Sequence, residues 1–375
     1  MAARSPAHAA VLGALIGDAA AIGSHWIYGA GNVAARLGPS PAFAAPDKAN
    51  YEPPAYYAHG TKSVGESTHL GHATVVALAA LATAPPSAPL VPGPGPWRAA
   101  FLAAYDYGGA WVGYIDSATR GTMANIKAAV DSAVVAAVPD ADPAQAAALA
   151  KAANSIGGAA ALSLGTPEYL PALRKALADT KVTAPGDDAL EAFSTALAAP
   201  IGDGNDTQTN ALCKVLPYVL AVDAGLARDD VLALVADAIA ETQNNSVSQL
   251  AITNLFTILL DVVSGTSIAD AVAAGLAGLD AAVDAGTPHA AEYAKYAHLA
   301  VTLAADGVDD CVAVADEHFG SACPLEFTLP CLYHALSVAS DYHDAVNRAL
   351  LVGGDSAART AYLGAPHLAA PGNGR

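Results

Sequence analysis

The sequence contains few charged residues, and positively charged residues are especially scarce. Only 14% of its 375 residues are charged, and 17 Lys and Arg stand against 35 Asp and Glu, a formal net charge of -18. So few positively charged side chains cannot neutralise a phosphate backbone, and we therefore expect no nucleic-acid partner. Binding to an anionic membrane surface is disfavoured for the same reason. The acidic balance permits binding of a divalent metal but does not by itself predict it.

Cysteines and long apolar runs are scarce as well. Cys213, Cys311, Cys323 and Cys331 form no CxxC pair and have no zinc-like spacing with the histidines. They are typical of reduced thiols in an intracellular protein, and we expect a cytoplasmic location because residues 1–8 lack the layout of a signal peptide. No run reaches the roughly 18 uninterrupted apolar residues of a membrane span, so we expect no membrane partner.

Alanine in helical spacing is what the sequence has in abundance. Hydrophobic residues make up 54% of the chain and the mean hydropathy is +0.35, whereas the alternation typical of strands hardly occurs. The clearest predicted helices are 72–82, 211–225, 229–245, 249–265 and 267–286. Glycine and Asp-Asp stops fall between them, as helix ends and caps require. We therefore predict an all-α fold, with residues 1–375 forming a single globular domain of many antiparallel helices.

Two proline-rich segments interrupt the helical pattern. Residues 83–97 contain six prolines, too many for a helix, and we predict a surface loop there. Residues 38–66 form a second predicted loop, which is long for a compact domain. Loops of that length often carry function.

Polar side chains embedded in apolar segments are the candidates for chemistry, because such residues are normally exposed. They fall in five clusters: GALIGDAAAIGSHWIYG (13–29), GTKSVGESTHLGHATVV (60–76), YIDSATRGTMANI (114–126), ETQNNSVSQ (241–249) and LLVGGDSAARTAYLG (350–364). In the first cluster Asp18 and His25 are seven residues apart, which places them two turns apart on one helix face.

Each cluster also has a purely structural explanation. Asp18 can cap or bond a neighbouring helix, and His72 can begin the helix that follows it. His69 is expected at the surface. The run 243–245, Gln-Asn-Asn, is typical of a helix end, and Asp355 after two glycines is an ordinary helix cap.

The order of the clusters is more specific than any one of them. The chain reads GALIGDA, then GESTHLGHAT, YIDSATRGT, TQNN and GGDSAAR, and this order resembles the ADP-ribosylglycohydrolase family. The segments GDAAAIGSHWIY and SACPLEFTLPCLYHALSVASDYHDAVNRALLVGGDSAAR resemble the branch that contains the J-type crystallins and selenoprotein J. The resemblance runs from about residue 9 to 364. It implies a single all-α domain with the active cleft where the clusters meet.

The resemblance also implies a chemistry. Family members cleave glycosidic bonds to ADP-ribose with two magnesium ions, held by an Asp-Asp pair and an Asp-x-Asp-Thr motif. At those places this sequence has HAT (72–74) and DSAA (355–358), so of four aspartate ligands only Asp355 remains, and His25 replaces an acidic residue of the first motif. Magnesium prefers hard oxygen ligands. We therefore expect no dinuclear magnesium site and assign no metal ligand.

We accordingly expect an ADP-ribosylglycohydrolase-like hydrolase or lyase that acts on a ribosyl or other polar small molecule. Acid–base chemistry by carboxylate and histidine needs no cofactor. The catalytic candidates are Glu66, His72 and Asp355. The substrate-binding candidates are His25, Trp26, Tyr28, Thr68, Asp116, Gln243, Asn244, Asn245 and Ser356.

Two alternatives stay open. The first is a non-catalytic, crystallin-like structural or binding protein that kept the fold and lost the ions. The second is a hydrolase with a single or shifted magnesium site that uses Asp355, Glu66 and Asp116. If the alignment is off by one turn, Glu66 becomes a ligand rather than a base. A melting temperature that rises with magnesium would favour the second alternative.

Overall fold

The chain is built from α-helices. The computed structural model describes residues 5–82, 94–106, 109–137, 142–156, 169–180, 183, 185–198 and 200–371. Over these residues it contains seventeen α-helices and no strand, with a single isolated bridge between Gln208 and Pro324. The predicted all-α fold is confirmed.

The α-helices are α1 (Pro6–Ala20), α2 (Asn32–Leu37), α3 (His69–Ala82), α4 (Pro94–Tyr105), α5 (Ser117–Ala137), α6 (Pro143–Ser155), α7 (Leu170–Ala178), α8 (Asp187–Leu197), α9 (Asn210–Val215), α10 (Arg228–Ala240), α11 (Ser246–Val263), α12 (Ile268–Asp284), α13 (Ala290–Ala305), α14 (Cys311–Val314), α15 (Leu325–Val338), α16 (Tyr342–Val352) and α17 (Ser356–Ala369). Short 3-10 helices span Lys48–Asn50 and Leu216–Ala221, and a π-helical turn spans Ala315–Phe319.

Local capping explains why several helices begin close to their predicted positions. The Asn245 side chain accepts a hydrogen bond from the Ser248 N–H at 2.9 Å and begins α11. Ser267 accepts from the Asp270 N–H at 3.1 Å and begins α12 in the same way. The predicted helix 211–225 instead continues from α9 into a 3-10 helix, where Pro217 lacks the N–H that an α-helix interior needs.

The two predicted loops have different outcomes. Residues 83–93 of the predicted loop 83–97 lie outside the described residues. Its last part, 94–97, is the first turn of α4 rather than a loop, because proline is tolerated in a first helical turn. Residues 38–66 contain only the short 3-10 helix and otherwise follow an irregular path, as expected for a loop.

The chain divides into two compact units. Unit 1 comprises Met1–Thr74, Thr207–Leu232 and Asn245–Arg375, and unit 2 comprises Val75–Asp206 and Ala233–Asn244. In unit 1, α1 packs along α17, α13 packs against α15, and α12 lies between α11 and α13. In unit 2, helices α5 to α8 surround a core that includes Val130, Leu149, Leu173 and Phe193. The single domain over 1–375 stays a prediction.

Glycine allows the close contact between α1 and α17. A Cβ atom on Gly13 would overlap the backbone of Gly364, and one on Gly17 would overlap the backbone of Thr360. With hydrogen in place of a side chain, the two helix backbones meet directly. This contact sets Asp18, near the end of α1, and Asp355, at the start of α17, in one part of unit 1.

Helix α11 has the length and apolar composition of a membrane-spanning helix, and no other helix in the described ranges passes that test. Within the protein, 61% of its residues are buried. A core helix of a folded domain has the same properties, so this observation by itself is weak support for a membrane location.

Candidate functional site around Asp355

A backbone clasp holds the start of α17 against the segment that follows α1. Gly353 and Gly354 have φ angles of 73° and 58°, in the left-handed region that glycine enters without strain. The Trp26 N–H donates to the Gly354 oxygen at 2.8 Å, and the Gly354 N–H donates to the Ile27 oxygen at 2.8 Å. The two hydrogen bonds run in opposite directions, which fixes the relative position of the two segments.

Trp26 is held in a strained conformation within this clasp. Its φ angle of 68° lies in the left-handed region, which costs a bulky residue on the order of 1–3 kcal/mol. The Tyr56 N–H donates to its carbonyl oxygen at 3.0 Å. The Trp26 ring stacks on the His25 ring with centroids 4.6 Å apart, and it packs edge-to-face against the Tyr56 ring with centroids 5.6 Å apart. Strain that the surroundings enforce in this way is common at functional sites.

His25 is buried and carries its proton on Nε2. Its Nδ1 accepts a hydrogen bond from the Ala357 backbone N–H at 3.2 Å, so the neutral ring must be protonated at the other nitrogen. Burial lowers the pKa of His25 well below its usual value. Nδ1 also lies 3.8 Å from Asp355 Oδ1, but a nitrogen that accepts an N–H has no proton to share, so this contact is not an ion pair. Within the described residues, Nε2 has no hydrogen-bond partner.

Asp355 is a buried carboxyl group at the cap position of α17. The Ala357 N–H donates to His25 rather than to this carboxyl group, while the Ala358 N–H and the Cys323 thiol lie close enough to Asp355 to lower its pKa. Burial raises the pKa of Asp355, and the nearby Arg359 guanidinium acts in the opposite direction. Asp355 Oδ2 has no hydrogen-bond partner in the part of the chain that the structure describes. The ordinary cap explanation therefore does not account for this side chain.

Arg359 and Cys323 complete the surroundings of Asp355, and both were missed in the sequence. The buried Arg359 guanidinium donates to the Ser321 carbonyl oxygen at 3.2 Å and to the Gly353 carbonyl oxygen. The half-buried Cys323 lies 3.9 Å from the Tyr28 hydroxyl, and burial raises the pKa of its thiol to about 12. Cys323 reaches Asp355 only through a long-range contact, whereas Arg359 lies one helical turn after Asp355, within the GGDSAAR motif, and was not singled out there.

Two further buried histidines extend the site from His25. The ring centroids of His25 and His59 are 5.3 Å apart, and those of His59 and His69 are 6.5 Å apart. Burial lowers the pKa of His59 to about 3, and its Nε2 has no hydrogen-bond partner within the described ranges. The surface position expected for His69 is wrong, since it is 2% exposed. His59 was missed because the only signal was the length of the loop 38–66.

Asp18 explains why α3 begins in the interior. Its carboxylate accepts hydrogen bonds from the Thr68 N–H at 2.8 Å, the Thr68 hydroxyl at 2.5 Å and the Gly71 N–H at 3.0 Å. Thr68 immediately precedes α3 and Gly71 is in its first turn, so the structural explanation applies to Asp18 and to Thr68. Burial raises the pKa of Asp18 to about 6 against the effect of these hydrogen bonds. One turn further along, His72 is half-buried, and burial lowers its pKa.

The other predicted residues of unit 1 lie in different environments. Glu66 is exposed, and its carboxylate accepts from the Ser63 N–H at 2.5 Å. Ser356 is buried at the start of α17, with its hydroxyl 3.5 Å from that of Ser24. Asn245 serves as the cap of α11. The structure thus brings His25, Trp26, Tyr28 and Ser356 together around Asp355, and it places Glu66 at the surface.

Three predicted site residues belong to unit 2. The buried Asp116 carboxylate accepts from the Thr119 N–H at the start of α5, so it caps that helix. The buried Gln243 amide donates to the backbone and side-chain oxygens of Asp206 at 3.0 and 3.1 Å. Asn244 is exposed. Asp116 and Gln243 therefore have partners within their own unit.

The side chains around Asp355 do not fit magnesium. Besides one carboxyl group they offer an imidazole, a thiol and a positively charged guanidinium, whereas magnesium requires near-octahedral oxygen ligands. Across the described residues, no group of three or more His, Cys, Asp or Glu side chains is placed to hold a metal ion. We therefore derive no step through magnesium.

Comparison with known proteins supports the fold. No protein-family model and no curated protein matches the sequence. Among solved structures, the chain is similar to one described as an ADP-ribosylglycohydrolase-related protein complex, with 15% identity and a TM-score of 0.51, over 99% of this chain and 90% of that chain. At this identity the likeness concerns the fold alone. The chain therefore has an ADP-ribosylglycohydrolase-like all-α fold.

Proposed function

We propose that this chain is a hydrolase or lyase of the glycosidase type that binds a ribosyl or other polar small molecule around Asp355. One observation carries the proposal: Asp355 Oδ2, His25 Nε2 and His59 Nε2 are buried polar atoms without hydrogen-bond partners among the described residues. Buried polar atoms in proteins are nearly always paired, and exceptions call for an explanation. The bond-forming groups of a polar ligand would supply the missing partners.

The environments of Asp355 and His72 suit an acid and a base. Burial raises the pKa of Asp355, which favours the protonated form that a proton donor to the leaving atom needs as the glycosidic bond breaks. Burial lowers the pKa of His72, so its imidazole is neutral and can take a proton from the attacking water. The water oxygen then bonds to the anomeric carbon, and solvent returns the proton from His72 to Asp355. One water is consumed for each bond broken.

Glu66 ranks behind these two groups. It is exposed, and the Ser63 N–H already occupies its carboxylate. Burial, which tunes a catalytic carboxyl group toward neutral pH, is missing at this position. We therefore assign Glu66 no step and use it as the control carboxylate.

Entry of a ligand requires a movement in unit 1. His25 and Asp355 are almost completely buried, and the ring of His59 lies against His25. His59 belongs to the irregular segment 51–68. We propose that this segment opens when the ligand binds, since loops open more readily than packed helices.

A thermal unfolding experiment on chelator-treated protein tests the proposal. ADP-ribose is the first probe, without and with magnesium, because a ligand at 100 times its Kd stabilises the folded state by about 2.7 kcal/mol. We expect wild type and Glu66→Gln to be stabilised without magnesium and to hydrolyse an ADP-ribosyl conjugate. Asp355→Asn should fold and lose turnover. Equal turnover by wild type and Asp355→Asn would overturn the assignment, and stabilisation by magnesium alone would favour a shifted metal site.

A crystallin-like structural or binding protein is the second candidate, and the burial of His25 and Asp355 favours it. Membership of the branch with the J-type crystallins and selenoprotein J is part of this second proposal. It predicts no turnover of any ribosyl conjugate and no change in melting temperature with ADP-ribose or magnesium. Such a result would replace the enzyme proposal with this one.

A further inference from the structure

We propose that His25 is a permanently neutral hydrogen-bond donor whose tautomer is fixed by the first turn of α17, and that its Nε2–H polarises an oxygen atom of the ligand. This inference rests on the proposed function and deepens it. It gives His25 a chemical role and names the kind of ligand atom that the site recognises.

The tautomer follows from the geometry at the start of α17. Ala357 is the second residue of this 14-residue helix, and its N–H is one of those that no helical carbonyl can accept. That N–H donates to His25 Nδ1 at 3.2 Å. The positive end of the helix dipole also disfavours a proton on this nitrogen. The single proton of the neutral ring is therefore on Nε2, where it has no acceptor within the described part of the chain.

The groups that face His25 keep it neutral. His59, His69 and Arg359 all disfavour a positive charge on its ring, and the ring is completely buried. Among the described residues, Asp355 Oδ1, at 3.8 Å, is the one acidic atom within ion-pair distance of the ring, and burial raises the pKa of that carboxyl group. A neutral imidazole can stabilise negative charge that develops on an oxygen without giving up its proton, an arrangement that enzymes use to polarise carbonyl groups.

The side chains of His25 and Asp355 lie together at the start of α17, with Nδ1 of His25 3.8 Å from Oδ1 of Asp355. The Ala357 N–H donates to His25, and Asp355 Oδ2 has no hydrogen-bond partner among the described residues. A protonated carboxyl group and an imidazole N–H both require an acceptor. The site should therefore favour a ligand that presents an oxygen there, such as a carbonyl or a glycosidic oxygen, over one that presents an N–H. A mismatched N–H would leave buried donors unpaired.

Nitrogen NMR of the histidine rings in the free, full-length protein tests the tautomer without any ligand. His25→Gln assigns the signal by its disappearance. We expect Nε2 of His25 to be protonated and Nδ1 unprotonated, with no titration between about pH 5 and pH 8, where an ordinary histidine changes charge. A proton on Nδ1, or a titration in this range, would overturn the inference whether or not the protein is an enzyme.

Two matched variants test the donor. His25→Asn places an amide oxygen near the position of Nδ1, which keeps the cap and removes the Nε2–H. His25→Gln reaches the position of Nε2 and loses the cap. With ADP-ribose as the probe, we expect His25→Asn to melt like wild type and to bind about tenfold more weakly, the loss of one hydrogen bond. We expect His25→Gln to melt lower and keep more of its affinity per folded molecule.

The outcomes separate this inference from the proposed function. Wild-type affinity in His25→Asn would overturn the donor role and leave the proposed function standing. A wild type that binds no ribosyl probe would overturn both the proposed function and the ligand role of His25, while the NMR result would still decide the tautomer. If His25→Asn does not fold, Ala357→Pro removes the backbone N–H from the other side, and the ring proton should then no longer be confined to Nε2.

Discussion

The N-termini of α3 and α17 differ in how each bonds the buried aspartate beside it. Each lies beside a buried aspartate whose pKa is raised by burial, Asp18 at α3 and Asp355 at α17. Asp18 accepts three hydrogen bonds, two from Thr68 just before α3 and one from Gly71 in its first turn. At α17 the Ala357 N–H donates to His25 instead of Asp355, and Asp355 Oδ2 has no hydrogen-bond partner among the described residues.

The difference shows that burial alone does not mark a functional carboxylate. Burial raises the pKa of both aspartates, but only Asp355 has an oxygen without a hydrogen-bond partner among the described residues. A buried acid with its oxygens paired contributes to the framework, and one with an unpaired oxygen is available to a ligand. The predictions below test this distinction in order of decreasing effect.

The largest effect is expected where α1 and α17 touch, because this contact holds both aspartates. Gly17→Val would drive a side chain into the backbone of Thr360, and we expect a loss of about 3 kcal/mol in the free energy of unfolding, measured by urea denaturation. Gly278→Ala is the control, since its Cβ would approach Asn254 only to an ordinary 3.6 Å. The control should gain about 0.5 kcal/mol. Equal losses in both variants would contradict the close packing.

Asp18→Ala should destabilise the protein by about 2 kcal/mol, because it leaves buried N–H groups of α3 without an acceptor. Asp18→Asn retains one acceptor oxygen and should lose less. Thermal and urea denaturation measure both losses. A melting temperature of Asp18→Ala equal to that of wild type would mean that Asp18 does not hold α3.

The pH dependence of stability should separate the histidines from the aspartates. The pKa of His59 is about 3 in the folded protein against an ordinary 6.5. Between these two pH values the unfolded chain binds a proton at this histidine and the folded chain does not. The free energy of unfolding therefore falls as the pH drops from 6.5 toward 3. Asp18 has the opposite sign: with a folded pKa of about 6 against 3.8, it restores stability as the pH drops from 6.

His59→Phe removes the histidine contribution and leaves that of Asp18. We therefore expect the variant to gain stability relative to wild type on acidification, by about 1 kcal/mol per pH unit. The measurement is the free energy of unfolding of both proteins at about pH 6.5 and about pH 4.5. Parallel pH profiles would mean that His59 is not buried in neutral form.

The smallest effect on stability is expected at Asp355. An amide matches the shape of the carboxyl group and keeps one acceptor oxygen, and the Ala357 N–H stays bonded to His25, so Asp355→Asn should change the free energy of unfolding by no more than about 0.5 kcal/mol. Urea denaturation of Asp355→Asn and Asp18→Asn in parallel compares their losses in free energy of unfolding. If the two losses are equal, the two helix N-termini do not differ in how they use their aspartates.

Local signals predicted the helices well where the cap lies next to the helix that it begins. Asn245 and Ser267 bond N–H groups three residues along the chain, and the helices predicted as 249–265 and 267–286 are α11 and α12. The start of α4 was misjudged because proline breaks a helix interior but suits a first turn, and the sequence does not say which position it occupies.

The candidate site was predicted less completely, because its contacts are between distant residues. Asp355, His25 and Trp26 were found through their polar or motif context, whereas His59 and Cys323, which are distant in sequence from Asp355, were not. His69 was expected at the surface and is buried. Glu66 was expected in the site and is exposed. Burial depends on what packs over a residue, which no window of neighbouring residues contains.

By itself, the sequence determined the all-helical class, the acidic charge and the local caps, because periodicity and turn chemistry act within a few residues. Only the tertiary structure decided which group caps which helix. Asp18 meets Thr68 across 50 residues and His25 meets Ala357 across 332. A backbone N–H bonds to whichever acceptor packing brings within reach, so the carboxyl oxygen left without a partner among the described residues, Asp355 Oδ2, is identified only in the folded protein.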